Sequence, residues 1–146
     1  MIKFLDAADD LSIQVHPNYL LAQKRHNSLG KNEMWYVMEA EPNASLIVGF
    51  KPGTTSEMYQ KHLNEGTLVT LMEKHFISPG DAFYIETGTV HAIGAGTLIA
   101  EIQQTSDITY RLYDFDRVDS EGNKRELHVD LALDAINYNT IETQKD

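Results

Sequence analysis

Three segments of the chain carry imidazole, amide and carboxylate side chains, the groups that proteins use to transfer protons and to bind metals. The first segment is the run from Leu11 to His16. Successive side chains of a strand point to opposite sides, so Gln14 and His16 share one face with Ser12, and apolar residues share the other. A polar strand face of this kind ordinarily points to water. These residues alone therefore do not distinguish a solvated face from a functional site.

The second and third segments each combine turn residues with a potential site residue. Glu33 follows Gly30-Lys31-Asn32 and stands at the entry of an apolar, aromatic strand. Further on, Gly80, Gly88 and His91 are spaced as a tight turn, a strand, a second turn and a histidine on the next strand. An exposed carboxylate at a strand end and a packed histidine in a hairpin are the alternatives at this point.

The elements that must position these residues are mostly strands. Short extended runs separated by turn signals predict an all-β sandwich or barrel. The predicted strands are 2–5, 11–16, 34–39, 45–50, 74–77, 82–86, 91–93, 98–104 and 108–114. The predicted helices are 18–26, 55–64 and 129–136, with Asn18 capping the first and Thr55 or Ser56 the second.

Composition narrows the classes of partner. The 146 residues are 42% hydrophobic and 23% charged, as in an ordinary globular domain, and the net charge is −10. Such a surface repels nucleic acid and anionic lipid, so we expect neither a nucleic-acid nor a membrane partner. The chain has no cysteine, which excludes disulfides and thiolate metal ligands and fits a reducing compartment. With no apolar run long enough for a membrane span and no secretory-signal pattern, we expect a cytoplasmic protein.

The third segment resembles the second motif of the cupin superfamily. That motif reads Gly, five residues, Pro, one residue, Gly, two residues, His, and the run from Gly80 to His91 matches it with Glu86 at the Pro position. The motif implies a cupin-type β-barrel, a jelly roll also called a double-stranded β-helix, with two or three short helices.

The other segments narrow the resemblance. Gln14-x-His16, Lys31-x-Glu33 and the run 88–94 are together similar to the zinc-dependent type I mannose-6-phosphate isomerases, in particular to their short bacterial members. The similarity continues through 101–107 and 109–117 and extends from residue 2 to about residue 136. It implies a single cupin domain over 1–146 without the family's N- and C-terminal flanks. Separately, the polar composition of 139–146 predicts a flexible tail.

The resemblance also implies a zinc site. Its ligands would be Gln14, His16, Glu33 and His91. Two imidazoles, an amide oxygen and a carboxylate form a nitrogen and oxygen set that suits Zn²⁺. Because the amide is neutral, the metal and the single carboxylate leave a net positive charge at the site, which preserves Lewis acidity.

The implied reaction is the interconversion of mannose 6-phosphate and fructose 6-phosphate, a sugar-phosphate substrate. Glu101 and Arg111 carry over as catalytic residues, with Glu101 as the first choice for the base and Arg111 as the group that stabilises negative charge on the sugar oxygens. Lys31, Ser12 and Arg117 are candidates for binding the substrate through its phosphate or hydroxyl groups.

Two alternatives of function stay open. One is a degenerate cupin that binds a metal or a sugar phosphate without turnover, and the other is a different metal-dependent cupin enzyme, such as an oxygenase or a sugar epimerase. For assembly we expect a homodimer that forms by strand exchange or edge pairing at Ile2–Leu5, because an unprotected sheet edge is a template for another strand. The alternative is a monomer whose edge is covered by the helix at 18–26.

Overall fold

The computed structural model describes residues 2–104, 106 and 108–138, which form two antiparallel sheets and three short helices. The strands are β1 (Ile2–Ala7), β2 (Ile13–Val15), β3 (Glu33–Ala40), β4 (Ser45–Phe50), β5 (Met72–Phe76), β6 (Ala82–Ile85), β7 (His91–Ile93), β8 (Thr97–Gln103) and β9 (Tyr110–Tyr113). The helices are α1 (Tyr19–His26), α2 (Ser56–Glu65) and α3 (Val129–Ala135), and a 3₁₀ turn covers Leu68–Leu71.

Four strands form the first sheet, in the order β1-β8-β3-β6. Along β3, Glu33, Trp35 and Val37 are buried and the residues between them are exposed. This alternation follows from the two-residue period of a strand. Glu101 on β8 lies directly opposite Trp35, and Ile99 lies opposite Val37. The inner side of this sheet therefore presents two carboxylates next to apolar side chains.

Five strands form the second sheet, in the order β5-β4-β7-β2-β9. Within it, β2 lies between β7 and β9, and Gln14 pairs with His91 on one side and with Arg111 on the other. Directly opposed residues of an antiparallel pair lie on the same face of the sheet. These three polar side chains therefore share one face, while Ile13 and Val15 face the other way.

The five-stranded sheet is covered on both faces. Trp35, Val37 and Ile99 from the first sheet pack between the sheets with Leu46 and Val48. On the far side, a second cluster joins the sheet to the helices through Ile13, Val15, Leu112, Tyr59 of α2 and Ala132 of α3. Among the residues that the structure describes, no helix lies over the outer face of the four-stranded sheet, where the side chains of β3 are exposed.

The helix ends follow the predicted caps. The Asn18 side chain accepts a hydrogen bond from the Leu21 backbone N–H at 2.9 Å, and the Thr55 hydroxyl accepts one from Met58 at 3.2 Å. Helix α2 ends at Gly66, whose φ of 72° is the left-handed conformation that glycine adopts most readily. Both predicted N-caps are therefore confirmed, with Thr55 rather than Ser56 at the start of α2.

The predicted fold class, an all-β cupin-type barrel with short helices, is confirmed, and the differences are local. The 3₁₀ turn was not predicted, and β1 extends to Ala7 because it pairs with β8 as far as Thr97. The single-domain organisation without family flanks stays a prediction, and the expected tail 139–146 lies outside the described residues. No helix in the described part of the chain is long and apolar enough to cross a membrane.

Candidate metal centre

Three buried side chains meet inside the barrel and could hold a metal ion. His16, Glu33 and His91 each present one ligand atom, and these atoms lie within 4.8 Å of one another. The three residues are 2%, 2% and 4% exposed. His16 follows β2, His91 begins β7 and Glu33 begins β3 of the other sheet. The cluster thus bridges the two sheets.

Backbone carbonyls orient both imidazoles. His16 Nδ1 lies 3.2 Å from the Ile108 carbonyl oxygen, and His91 Nδ1 lies 2.9 Å from that of Thr89. A carbonyl oxygen only accepts hydrogen bonds, so each Nδ1 is the N–H that donates. Each Nε2 then faces the cluster, that of His16 towards Glu33 Oε1, and is the atom that could bind a metal in its deprotonated form, which is the usual arrangement around a ligating histidine. The donor set therefore fits a divalent metal of the zinc type.

Glu33 is the anionic member of the cluster. Its Oε1 lies 2.9 Å from His16 Nε2 and 3.4 Å from Lys31 Nζ. Burial acts to raise the pKa of Glu33, but hydrogen bonds with His16 and Glu101 and the two nearby imidazoles outweigh it and hold that pKa far below its usual range. Glu33 is therefore a carboxylate at neutral pH, the form that binds metal.

His91 is the second imidazole of the site and is also buried. Burial, and then repulsion from His16, lower the pKa of His91 to about 4. Its ring centre lies 4.8 Å from that of His16 and 5.5 Å from that of Trp35. A neutral imidazole with a free lone pair is the ligand form of histidine, and the surroundings of His91 favour it.

Gln14 lies beside the cluster on the same sheet face as His91. Its Nε2 donates to the Ser12 hydroxyl at 2.9 Å, so the atom that Gln14 can offer a metal is its carbonyl oxygen. Ser12 is itself buried, at 4% exposure. The roles of Gln14 as a metal ligand and of Ser12 in substrate binding stay predictions.

Trp35 connects the two carboxylates of the site. Its indole Nε1 donates to Glu33 Oε2 at 3.1 Å and lies 3.3 Å from Glu101 Oε1. Burial raises the pKa of Glu101 to about 7, and the hydrogen bond and charge of Glu33 act in the same direction. The sequence analysis missed this role of Trp35, although the i, i+2 spacing of Glu33 and Trp35 places both on one face of β3.

The two predicted arginines have different surroundings. Arg111 donates from Nη1 to the Glu126 carbonyl oxygen at 3.0 Å, and its buried Nε has no hydrogen-bond partner in the described part of the chain. Arg117 instead makes an ion pair with Asp114 at 2.8 Å and donates to the backbone carbonyl of Asp10. The hydrogen bonds of Arg117 are thus not with the cluster, and its predicted contact with substrate stays a prediction.

A two-sheet barrel with a His-Glu-His cluster between the sheets defines a cupin-type domain with a candidate metal site. No family model matches the chain. The chain is 45% identical over 142 residues to the mannose-6-phosphate isomerase ManA of Bacillus subtilis strain 168, an alignment that covers 97% of this chain and 45% of the relative. The chain is therefore similar to mannose-6-phosphate isomerases of bacteria and spans less than half of the length of these relatives.

Solved structures agree with this relationship. The crystal structure of the mannose 6-phosphate isomerase from Bacillus subtilis matches with a TM-score of 0.90 at 39% identity and covers 96% of this chain and 45% of that one. A mannose 6-phosphate isomerase bound with zinc and yttrium matches with a TM-score of 0.63 at 13% identity over 94% of this chain and 54% of that one, which shows a shared fold. The resemblance stated from the sequence is confirmed.

Proposed function

We propose that this chain is a zinc-dependent aldose–ketose isomerase domain that interconverts mannose 6-phosphate and fructose 6-phosphate. The observation that carries the proposal is the buried cluster of His16, Glu33 and His91, with both imidazoles oriented by backbone carbonyls. Gln14 completes the proposed ligand set. A bound zinc ion would act as a Lewis acid on the oxygens at the reacting carbons of the sugar.

The proposed proton carrier is Glu101. The reaction moves a proton between C2 and C1 of the sugar, and a carboxylate next to the metal site can take and return it. Glu101 is 8% exposed and lies next to Glu33 across the indole N–H of Trp35. Glu101 is therefore close to the ligands, while the ligand set leaves its carboxylate available.

Arg111 is the proposed stabiliser of the enediolate. It lies on the same sheet face as Gln14 and His91, one strand further along. Its guanidinium stays charged, and its buried Nε has a hydrogen bond to offer to a substrate oxygen. An oriented cation at the developing negative charge lowers the barrier of such a step.

The phosphate of the substrate requires a cation near the cluster. Lys31 is the cation whose ammonium group touches the site, at 3.4 Å from Glu33, and Ser12 adds a hydroxyl beside Gln14. Arg117 would have to leave Asp114 to reach the same phosphate. Since sugar phosphates are charged and do not cross membranes unaided, the proposal places the protein in the cytoplasm.

The test pairs elemental analysis with an assay for fructose 6-phosphate. We expect stoichiometric zinc and turnover of mannose 6-phosphate but not of mannose. Glu33→Gln removes the anionic ligand and should weaken zinc binding by on the order of a hundredfold or more and abolish turnover. Glu39→Gln makes the same chemical change at an exposed position of β3 and should leave both unchanged.

The test also separates the other functions. The buried His-Glu-His cluster also suits a second candidate, a domain that binds zinc or a sugar phosphate without turnover. Zinc with no turnover would overturn the isomerase in favour of that candidate, and iron in place of zinc would indicate another cupin enzyme. A homodimer, also proposed from the sequence, does not depend on this reaction.

A further inference from the structure

The outer side of the four-stranded sheet exposes an apolar surface that is independent of the metal site. Two rows of cross-strand neighbours contribute large side chains to this surface, which we call the outer apolar face: Ile2, Phe4, Met34, Tyr36, Tyr84 and Ile102. These six are between 44% and 67% exposed. Helices cover the outer face of the five-stranded sheet. The exposed apolar surface therefore belongs to the four-stranded sheet alone.

The size of the outer apolar face is near the upper end of what a monomer ordinarily leaves in water. Large apolar and aromatic side chains of this kind that are about half exposed present on the order of 500 Å² together, near the upper end for a typical monomer. A standard protein interface buries about 800 Å² on each partner. The six side chains therefore supply more than half of the area that one side of a standard dimer needs.

Charge excludes several classes of partner. No charged side chain lies within the two rows, although the chain carries a net charge of −10. After Phe4, the next residue of β1 on the same side of the sheet is Asp6, which pairs with Leu98. A nucleic acid, a lipid headgroup or a basic peptide would find no charge to bind on this face. The partner must itself be apolar at the contact.

The pattern of side-chain sizes suits a second copy of the same face. Across the sheet, Phe4, Ala100, Tyr36 and Ala82 follow one another as large, small, large and small. Two sheets that pack face to face interdigitate their side chains. A copy related by a two-fold axis can place its own Phe4 and Tyr36 over the two alanines, so the surface is complementary to itself.

We propose that the outer apolar face is the interface of a homodimer in which the four-stranded sheets of two copies pack face to face. This mode differs from the edge pairing expected from the sequence. All six residues of β1 pair with β8 in the same chain, so the structure needs no exchanged strand. Lys3 and Asp6 on β1 also protect the open edge, since charged residues on an edge strand discourage further pairing.

The first experiment measures mass against concentration by sedimentation velocity with multi-angle light scattering. Wild-type protein should sediment as a species of twice 16.5 kDa at micromolar concentration. Phe4→Lys and Tyr36→Lys should each weaken the dimer by on the order of tenfold or more, because each buries a charge at the contact. Phe76→Lys changes a ring that is 65% exposed on β5 of the other sheet and should leave the dimer intact.

Cross-linking provides a second measurement that does not depend on the correct folding of the two lysine variants. The chain has no cysteine, so a single Ala100→Cys substitution in the middle of the face should be joined to its copy by a short bis-maleimide, while Phe76→Cys should not. A monomer at all micromolar concentrations would overturn the proposal and leave the face to a different polypeptide. A dimer that survives both lysine variants would overturn it in favour of edge pairing. Zinc content is the control for folding, and its loss in wild-type protein would contradict the proposed function without touching the dimer.

Discussion

At the scale of residues, the site is organised by hydrogen bonds behind the proposed ligands. The Nδ1 atoms of His16 and His91 donate to the carbonyls of Ile108 and Thr89, and Trp35 donates to Glu33. Each of these contacts fixes the orientation of a side chain whose other atom faces the cluster. Partners of this kind commonly contribute a factor of about 10–100 to metal affinity.

Trp35→Phe tests this arrangement, because it keeps an aromatic ring and removes the indole N–H. Glu33 and Glu101 then lose a donor at 3.1 Å and 3.3 Å, and Glu33 is free to turn. We expect zinc affinity to fall by about tenfold, measured by competition with a chromogenic chelator. Phe83→Leu is the matched control, since Phe83 is the buried cross-strand neighbour of Trp35 but makes no hydrogen bond through its side chain. Equal zinc affinity in Trp35→Phe and wild-type protein would show that the N–H is dispensable.

At the scale of elements, one turn connects the two histidines. The Gly88 N–H donates to the His16 carbonyl at 2.8 Å, and the Gly88 carbonyl accepts from Asn137 at 2.8 Å. Gly88 has a φ of +82°, and a Cβ there would lie 3.0 Å from the Ala135 carbonyl oxygen. The turn that leads to β7 is therefore held between the end of β2 and the end of α3.

Gly88→Ala should strain this turn in two ways. The alanine would have to adopt a left-handed conformation and also push against the backbone after α3, for a combined cost of about 2–3 kcal/mol in the free energy of unfolding. Zinc affinity should fall as well, because the turn positions His91. Gly80→Ala is the control: its φ is +95° but nothing lies within 4 Å of its Cβ, so it should cost only the backbone strain and leave zinc binding unchanged. Denaturant unfolding and zinc titration of both variants decide this, and equal losses would refute the role of the Ala135 contact.

At the scale of the whole molecule, Asp114 ties distant segments together. It accepts hydrogen bonds from Arg125 at 2.6 Å and 2.9 Å and from Arg117 at 2.8 Å, and Arg117 also reaches the Asp10 carbonyl. The hydrogen bonds from Arg125 have the largest effect on the pKa of Asp114 and lower it. Burial acts in the opposite direction, and the hydrogen bond from Arg117 lowers the pKa further, so it lies below its usual value. These hydrogen bonds hold the segment that follows β9 against Asp10, which precedes β2.

Asp114→Asn should destabilise the protein in a pH-dependent way. A carboxyl whose pKa is lowered by folding stabilises the fold above the pKa of the unfolded chain, about 4, and that stabilisation is lost as the pH falls through the folded value. We expect a loss of about 1–2 kcal/mol at pH 7 that shrinks below pH of about 4, measured by urea unfolding. Asp116→Asn breaks an ion pair with Lys124 in which both side chains are mostly exposed and should have no measurable effect. A pH-independent difference between Asp114→Asn and wild-type protein would contradict the electrostatic explanation.

Local chemistry alone predicted much of the fold and singled out the segments that carry the cluster. Alternation along β2 separated Gln14 from its apolar neighbours, and the capping roles of Asn18 and Thr55 follow from side-chain oxygens that reach backbone N–H groups three residues away. These features depend on contacts between residues that are close in the chain, so they can be predicted from the sequence. The resemblance to a known family then joined His16, Glu33 and His91, which single segments left open to other interpretations.

Only the tertiary structure decided which faces are covered and which polar groups meet. Alternation places Ile2 with Phe4 and Met34 with Tyr36, but only pairing through β8 brings the two strands' residues to one face of the sheet. Whether anything packs on that face depends on where the helices lie, and they lie on the other sheet. The contacts of Arg117 with Asp114 and the Asp10 carbonyl also come from folding, and its predicted role in substrate binding stays a prediction. Trp35 joins Glu33 and Glu101 only because β8 pairs with β3 in one register. Periodicity specifies the side of a strand on which a residue lies, whereas its partner is set by pairing between segments that are far apart in the chain.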